Sequence, residues 1–114
     1  MAYAGGPMTE AMYYVLLALL HPGHGYRLMA AVGEVSAGRV QMGPGTLYGV
    51  LSRMLEDGLI EMERADGRRK VYAITDAGRQ ALYAEYDRLR AMAHDFERLC
   101  AAEEQLASQR EGFV

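Results

Sequence analysis

Residues 44–60 read Pro-Gly-Thr-Leu-Tyr-Gly-Val-Leu-Ser-Arg-Met-Leu-Glu-Asp-Gly-Leu-Ile, and they carry the clearest structural pattern of the chain. Proline suits the first position of a helix, because the amide that it lacks has no partner there. Apolar residues then recur at spacings of three and four. This pattern predicts a helix from Pro44 that stops before Gly58 and buries one face. The predicted buried residues are Leu47, Val50, Leu51, Met54 and Leu55.

The opposite face of this predicted helix is polar, and its first turns carry small or hydrogen-bonding groups. Such a surface permits close approach to DNA, because an α-helix fits the major groove and the amides at its start can meet phosphates. An arginine further along the helix has the reach for a phosphate or a guanine. From this face we expect DNA contact by Thr46, Tyr48, Gly49, Ser52 and Arg53.

Two more helices are predicted upstream. Thr9 is a suitable N-cap for the stretch 11–20, which is apolar nearly all round and ends at the His-Pro-Gly of residues 21–23. A second helix is predicted from near residues 24–26 to Gly38, a natural stop. Its apolar positions, at helical spacing, are Leu28, Met29, Val32 and Val35.

Downstream of Gly58 the apolar pattern alternates with a period of two. Residues 60–64 and 71–75 are therefore predicted to form two strands, and Asp66-Gly67 between them is a strong hairpin-turn signal. Cations at the tip of such a hairpin can straddle the DNA backbone or enter the minor groove. These cations are Arg68, Arg69 and Lys70.

The last predicted element is a long helix from about Asp76 to Leu106, capped by Thr75. At 1.5 Å per residue it spans about 45 Å, and a body of three helices and a hairpin cannot cover all of its apolar stripe. We therefore expect a homodimer in which this helix, together with the first helix, packs in coiled-coil fashion. The predicted interface residues are Leu82, Tyr86, Leu89, Met92, Ala93, Phe96, Leu99 and Cys100.

The order of these elements predicts the fold class and the division of the chain. A length of 114 residues is one domain by the usual size range. The class is mainly α with a small β-hairpin (α+β): a winged helix-turn-helix followed by a long dimerisation helix. The predicted divisions are a tail at 1–7, the DNA-binding domain at 8–75, the dimerisation helix at 76–107 and a second tail at 108–114.

The charges are segregated along the chain. The net charge is −3, with twelve Lys and Arg against fifteen Asp and Glu. Residues 39–79 hold seven of the basic residues against six acids, whereas residues 80–114 hold four against seven. A local basic cluster at 64–70 is compatible with DNA binding by a small patch.

The composition bears on the location of the protein and on the disulfide and metal sites that it can form. Cys100, the one cysteine, excludes an internal disulfide framework and a zinc site built from cysteines. No apolar run reaches the roughly 18 residues of a membrane helix, and the first residues lack the basic start of a signal peptide. We therefore expect a cytoplasmic protein with no membrane partner and no cofactor.

An enzyme is the opposing class of function. The histidines His21, His24 and His94 and the thiol of Cys100 are scattered, and no metal-binding or phosphate-binding motif joins them. We expect no catalysis. A second alternative is a winged helix that contacts only proteins, which the acidic net charge permits. The cationic hairpin and the small residues at the start of the third helix favour DNA.

Five segments follow each other between residues 9 and 82: Tyr13–Leu20, His24–Tyr26, Pro44–Tyr48, Asp57–Ile60 and Gly67–Gly78. In order and spacing they resemble PadR-type transcriptional regulators. The single long C-terminal helix resembles the short subfamily, in which this helix alone mediates dimerisation. The resemblance implies a repressor that binds an inverted-repeat operator and often releases DNA on binding a small, commonly aromatic or amphipathic, ligand.

By position, the resemblance implies DNA contact from Thr46, Tyr48 and the hairpin residues 67–70. His24 and Tyr26, at the start of the second helix, are further candidates for DNA contact. Ordinary packing is the alternative for both tyrosines, and a merely solvated hairpin tip is the alternative for the cations. The apolar residues of the first and last helices are expected in the core and the dimer interface, with an effector pocket as the alternative.

Overall fold

The computed structural model describes residues 8–21, 27–66 and 69–111. It confirms the predicted fold class: three helices, an antiparallel hairpin and one long helix follow each other along the chain. The elements are α1 (Glu10–Leu19), α2 (Leu28–Val35), α3 (Pro44–Glu56), β1 (Ile60–Asp66), β2 (Arg69–Ile74) and α4 (Asp76–Glu111). The expected start of the second helix at 24–26 lies outside the described residues.

The starts of α1 and α3 confirm the predicted cap at Thr9 and the predicted start at Pro44. Thr9 precedes α1, and its hydroxyl oxygen accepts a hydrogen bond of 3.1 Å from the backbone amide of Met12. This bond satisfies one of the amides that a helix start leaves without an intrahelical partner. Gly43 is the N-cap of α3, and Pro44 occupies its first turn. The sequence rules for helix starts therefore hold at both positions.

The junction between α3 and α4 is tightly packed. Gly58 has a positive φ of 72°, as predicted for the residue that ends α3. The Thr75 hydroxyl donates a hydrogen bond of 2.6 Å to the carbonyl oxygen of Gly58 and accepts one of 3.0 Å from the Gly78 amide. A Cβ atom at Gly78 would collide with the carbonyl oxygen of Leu59. Thr75 therefore caps α4, as predicted, and also fixes its start against the end of α3.

The core lies around α1, which contacts α2, α3, β2 and α4. Side chains from every element converge on it, and this closure positions the exposed face of α3 and the hairpin on the outside. The buried apolar residues include Met12, Val15, Leu16, Ala18, Leu19, Leu28, Ala31, Val32, Leu47, Leu51, Met54, Leu59, Ile60, Tyr72, Ala81 and Leu82.

Two residues at apolar positions of the helical patterns are exposed. Leu55 and Met29 are 38% and 44% accessible, so the prediction that Leu55 is buried is wrong. Successive residues lie about 100° apart around a helix, and both side chains fall at the edge of their apolar stripe. The covering elements reach only the centre of each stripe.

The hairpin is longer than predicted. Its antiparallel register runs from Ile60 with Ile74 to Asp66 with Arg69, with an irregularity between Met62 and Arg64. The strands therefore extend beyond the predicted ends at residue 64 and residue 71, because backbone pairing continues through the charged residues near the tip. The predicted turn residue Gly67 lies outside the described residues.

The last helix is also longer than predicted. It continues to Glu111, so residues 108–111 are helical and not part of a tail, and the predicted end near Leu106 is wrong. The residues after Leu106 are Ala-Ser-Gln-Arg-Glu, and none of them breaks a helix. No helix in the described part of the chain is long and apolar enough to cross a membrane.

A buried carboxylate fixes the first turns of α4. Glu85 is buried, and the Arg88 guanidinium donates to both of its carboxylate oxygens over 2.9 and 2.6 Å. These hydrogen bonds are the main reason that the pKa of Glu85 is lowered. The backbone amide of Met8 contributes in the same direction, whereas burial opposes it. The ion pair lies within α4, and the amide of Met8 is close enough to the carboxylate to affect its pKa.

Candidate nucleic-acid interface

The exposed face of α3 carries the side chains that sequence reasoning selected. Tyr48 is 60% accessible and stands beside other exposed residues of the same face. Gly43 has no side chain that could cap the helix, so the amides of the first turn face solvent, where an anion can meet them. The predicted DNA-contacting residues that the structure brings together on this face are Thr46, Tyr48, Gly49, Ser52 and Arg53.

Arg53 lies one to two turns further along α3, beside an acid. Its Nε atom is 3.8 Å from the Asp57 carboxylate, and the two side chains are 56% and 34% exposed. An ion pair this exposed contributes little to stability. The guanidinium can therefore exchange Asp57 for a phosphate at small cost.

The hairpin brings one cation beside α3. Lys70 is exposed on β2, and Arg69 is placed on the same strand by its pairing with Asp66. Arg68, His24 and Tyr26, also predicted to contact DNA, lie outside the described residues. The described part of the candidate interface is therefore the face of α3 with Lys70 beside it.

A cleft of about 410 Å³ separates α3 from β2 and from the start of α2. We call it the wing cleft. It is lined on α3 by Tyr48, on β2 by Lys70 and Tyr72, and before α2 by Arg27. Burial, and then the closeness of Tyr48, raises the pKa of Tyr72. Sequence reasoning did not bring Arg27 and Tyr72 together at this cleft, because residues this far apart in sequence follow no spacing rule.

The predicted dimer residues divide into two groups. Leu82 is 2% accessible and packs in the core of its own chain, so its assignment to a dimer interface is wrong. The body of the protein ends near this turn of α4, and the side chains beyond it are uncovered. Phe96 is 70% accessible. The other exposed members are Tyr86, Leu89, Met92, Ala93 and Leu99, while Cys100 is half-buried.

No metal site is present in the described residues. They contain no group of three or more His, Cys, Asp or Glu side chains that could hold an ion. The candidate interface consists of a polar helix face, a cation and a cleft.

Comparison with known proteins decides the family. The model of the transcriptional regulator PadR-like family matches residues 15–84. The chain belongs to this family. Its members are transcriptional regulators and not enzymes, which confirms the predicted class.

Three PadR-related or fold-related proteins illustrate the likeness. The transcriptional regulator Rv3488 of Mycobacterium tuberculosis (strain ATCC 25618 / H37Rv) is 42% identical over 65 residues, which cover 54% of this chain and 61% of that protein. The PcaV transcriptional regulator of Streptomyces coelicolor, solved with its natural ligand, gives a TM-score of 0.64 at 30% identity. That match covers 90% of this chain and 70% of PcaV.

The third is a PadR-like transcription factor from Bacteroides fragilis, with a TM-score of 0.63 at 22% identity over 77% of this chain and 87% of that one. This likeness confirms the fold alone. The chain spans between 22% and 61% of the length of four curated relatives that it matches.

Proposed function

We propose that this PadR-family chain is a dimeric repressor that binds a DNA operator with inverted-repeat sequence. The observation that carries the proposal is the uncovered face of α3, where Thr46 and Tyr48 stand beside uncapped amides and next to Lys70 of the hairpin. A polar helix face of this kind fits the major groove, and the flanking cation meets the phosphate backbone. With DNA as its partner, the protein acts in the cytoplasm.

The face of α3 reads the sequence of the operator. Thr46 offers a hydroxyl and a methyl group, and Tyr48 offers a ring and a hydroxyl. Side chains with few rotamers on a rigid helix lose little entropy when they contact base edges. Arg53 bridges to a phosphate or a guanine in place of Asp57. These contacts give the discrimination between operator and random DNA.

The hairpin supplies affinity with less discrimination. Lys70, with Arg68 and Arg69, neutralises phosphates, unless a narrow minor groove selects the cations. Replacing one such residue lowers the slope of log affinity against log salt by about one per contact, and by about two over a dimer. Lys70→Ala should show this change, and an unchanged slope would make the hairpin cation merely solvated.

The distal part of α4 supplies the second chain. Its exposed apolar side chains, from Tyr86 to Leu106, lie along one side of a helix and support coiled-coil pairing. In a two-fold dimer the two α3 helices enter successive major grooves about 34 Å apart. Two equal recognition helices related by this axis require an inverted repeat. The natural ligand in the PcaV structure supports response to a small effector as part of the proposal.

The experiment begins with selection of duplexes from a random library by the full-length protein. Fluorescence anisotropy then measures Thr46→Ala and Tyr48→Ala on a selected duplex and on random duplex. Each substitution should weaken binding to the selected duplex by about 1–3 kcal/mol per lost base contact and leave binding to random DNA unchanged. Gln80→Ala, at an exposed position of α4, is the matched control and should change neither affinity.

Two outcomes contradict the proposal. Equal losses on both duplexes would mean that Thr46 and Tyr48 position the protein and do not read sequence. If no duplex binds even at low salt, the alternative of a winged helix that contacts only proteins, which the net charge of −3 permits, takes its place.

A further inference from the structure

The connection between α2 and α3, residues 36–43, leads into the helix that we propose reads DNA. Val40 and Met42 pack against the core, whereas Arg39 and Gln41 are exposed. This alternation is that of an extended segment, in which successive side chains point to opposite sides. The connection therefore presents Arg39 to solvent shortly before α3.

The backbone on both sides of Arg39 is fixed by Ser36. This serine is 2% accessible, and its hydroxyl oxygen accepts a hydrogen bond of 3.0 Å from the Val40 amide. The hydroxyl also donates to the carbonyl oxygens of Gly33 and Val40, each 3.3 Å away. The Arg39 amide in turn donates to the Ser36 carbonyl oxygen over 3.1 Å. A buried and fully hydrogen-bonded hydroxyl therefore holds this turn in one conformation.

The turn keeps this conformation against a local cost. Ala37 and Gly38 both have a positive φ, of 54° and 77°. Glycine adopts this region freely, but the Cβ atom of an alanine makes it unfavourable. Loss of the Ser36 hydroxyl should therefore let the turn relax and move Arg39 with it.

Arg39 lies in a part of the chain that attracts anions. Between Glu34 and Glu56 the sequence contains two arginines and no Asp or Glu, although the net charge of the chain is −3. Among the described residues, Arg53 pairs with Asp57, but Arg39 takes part in no ion pair. Its guanidinium is therefore available to a phosphate without breaking an existing pair.

The connection is also of a length that suits the DNA backbone. Arg39 precedes Gly43, the N-cap of α3, by four residues, which span at most about 14 Å. The major groove is about 12 Å wide, and phosphates border it on both sides. With α3 in the groove, the Arg39 side chain can reach the phosphates at its edge.

We propose that Arg39 binds a phosphate at the edge of the major groove and that the buried Ser36 hydroxyl positions it there. This inference rests on the proposed function and adds a further contact to those of α3 and the hairpin. Arg39 supplies affinity and does not read sequence, because every nucleotide carries the same phosphate.

The first experiment measures the salt dependence of DNA binding by the full-length protein. Arg39→Gln should lower the slope of log affinity against log salt by about one per contact, and by about two over a dimer. Its affinity at low salt should fall at least fivefold, on the selected duplex and on random duplex alike. Arg98→Gln, which removes a guanidinium that is 60% exposed on α4, is the matched control and should change neither quantity.

The second experiment locates the contact on the selected duplex. One phosphate at a time is replaced by an uncharged methylphosphonate, which removes the charge that an arginine would neutralise. The unaltered protein should bind at least threefold more weakly when a contacted phosphate is neutral. Arg39→Gln should lose this sensitivity at one phosphate of each half-site and keep it at the others. Sensitivity retained at every phosphate would overturn the contact.

The role of Ser36 is tested by a double-mutant cycle with Arg39. Ser36→Ala should weaken DNA binding at least threefold in the unaltered protein and cause no further loss in Arg39→Gln. An equal loss in both backgrounds would overturn the positioning role. Thr9→Ala removes another hydroxyl that accepts from a backbone amide, so it should lower stability without changing DNA affinity. Ser36→Cys, with a more weakly hydrogen-bonding thiol, takes the same place in the cycle if Ser36→Ala does not fold.

The proposed function and this inference fail in different ways. If Thr46→Ala and Tyr48→Ala weaken binding to the selected duplex but Arg39→Gln changes neither affinity nor salt slope, only the inference is overturned. If no duplex binds even at low salt, both are overturned.

Discussion

The body of the protein and the distal part of α4 differ in what covers their apolar side chains. In the body, Val15, Leu16 and Met54 are fully inaccessible, because helices and the hairpin surround them. Beyond Leu82, the side chains of α4 have the same chemistry but no covering element, and Phe96 is the most exposed of the large ones.

A single chain therefore buries the apolar side chains of the body but leaves those of α4 beyond Leu82 exposed. Burial of apolar surface contributes about 25 cal/mol per Å² to stability, so a row of exposed Leu, Met and Phe side chains leaves a large favourable term unused. Large exposed apolar patches mark interaction surfaces. The body is therefore covered by its own contacts, whereas we propose that a second copy covers the stripe on α4.

The largest expected effect comes from placing charges in the stripe. The double substitution Leu89→Asp and Phe96→Asp puts carboxylates at the centre of the proposed seam, where burying them is costly. The variant should sediment as a monomer at concentrations where the unaltered protein is a dimer, and it should lose operator affinity.

The matched control adds the same two charges on the other side of α4. Ala91→Asp with Gln105→Asp, both at exposed positions, should leave the dimer intact. A stable dimer in the Leu89, Phe96 variant would place the seam elsewhere, and dissociation of both variants would make net charge the cause.

The next largest effect is on the stability of the body, and it is tested by replacing two glycines with alanine. Gly78→Ala introduces a Cβ against the Leu59 carbonyl and the Ile74 side chain, so the free energy of unfolding should fall by about 3 kcal/mol. Gly49→Ala, in the exposed face of α3, has nothing within 4 Å of the new atom. It should raise stability by about 0.5–1 kcal/mol, because alanine favours the helix. Urea unfolding at fixed protein concentration measures both, and equal effects would contradict the tight junction.

The smallest expected effect is on pH dependence, at the boundary between the two parts. The pKa of Glu85 is lowered in the folded protein, chiefly by hydrogen bonds from Arg88. A lowered folded pKa stabilises the protein above the unfolded pKa, and this stabilisation is lost as the pH falls through the folded pKa. The stability difference between the unaltered protein and Glu85→Gln should therefore shrink from pH 7 to pH 3.

Arg88→Gln should remove the same pH-dependent component, since it removes the main donor to Glu85. Urea unfolding at pH 7, 5 and 3 measures all three proteins. A difference that stays constant over this range would show that the hydrogen bonds from Arg88 do not lower the pKa of Glu85.

Local signals explain how much of the fold could be predicted from the sequence. The caps at Thr9 and Thr75, the start at Pro44 and the end at Gly58 follow from interactions within a few residues. Their rules do not depend on the rest of the structure, and all four positions are as predicted.

Burial at the edges of the elements could not be predicted in the same way. Leu82 and Leu89 occupy the same position of the heptad pattern, yet only Leu82 is buried by its own chain. The difference depends on where the body ends, which is a tertiary property. Tertiary packing also brings together the side chains that line the wing cleft, among them Arg27, Tyr48 and Lys70. By contrast, the exposed face of α3 could be selected from the sequence, because it is the complement of the buried stripe.

The most direct test of the account is the mass of the complex between the full-length protein and a duplex selected by it, measured by sedimentation velocity alongside the free protein. We expect two chains in the free protein and two chains on each duplex. The selected duplex should contain an inverted repeat whose half-sites lie about one helical turn apart. A free monomer that binds one chain per duplex at a single unrepeated site would contradict it.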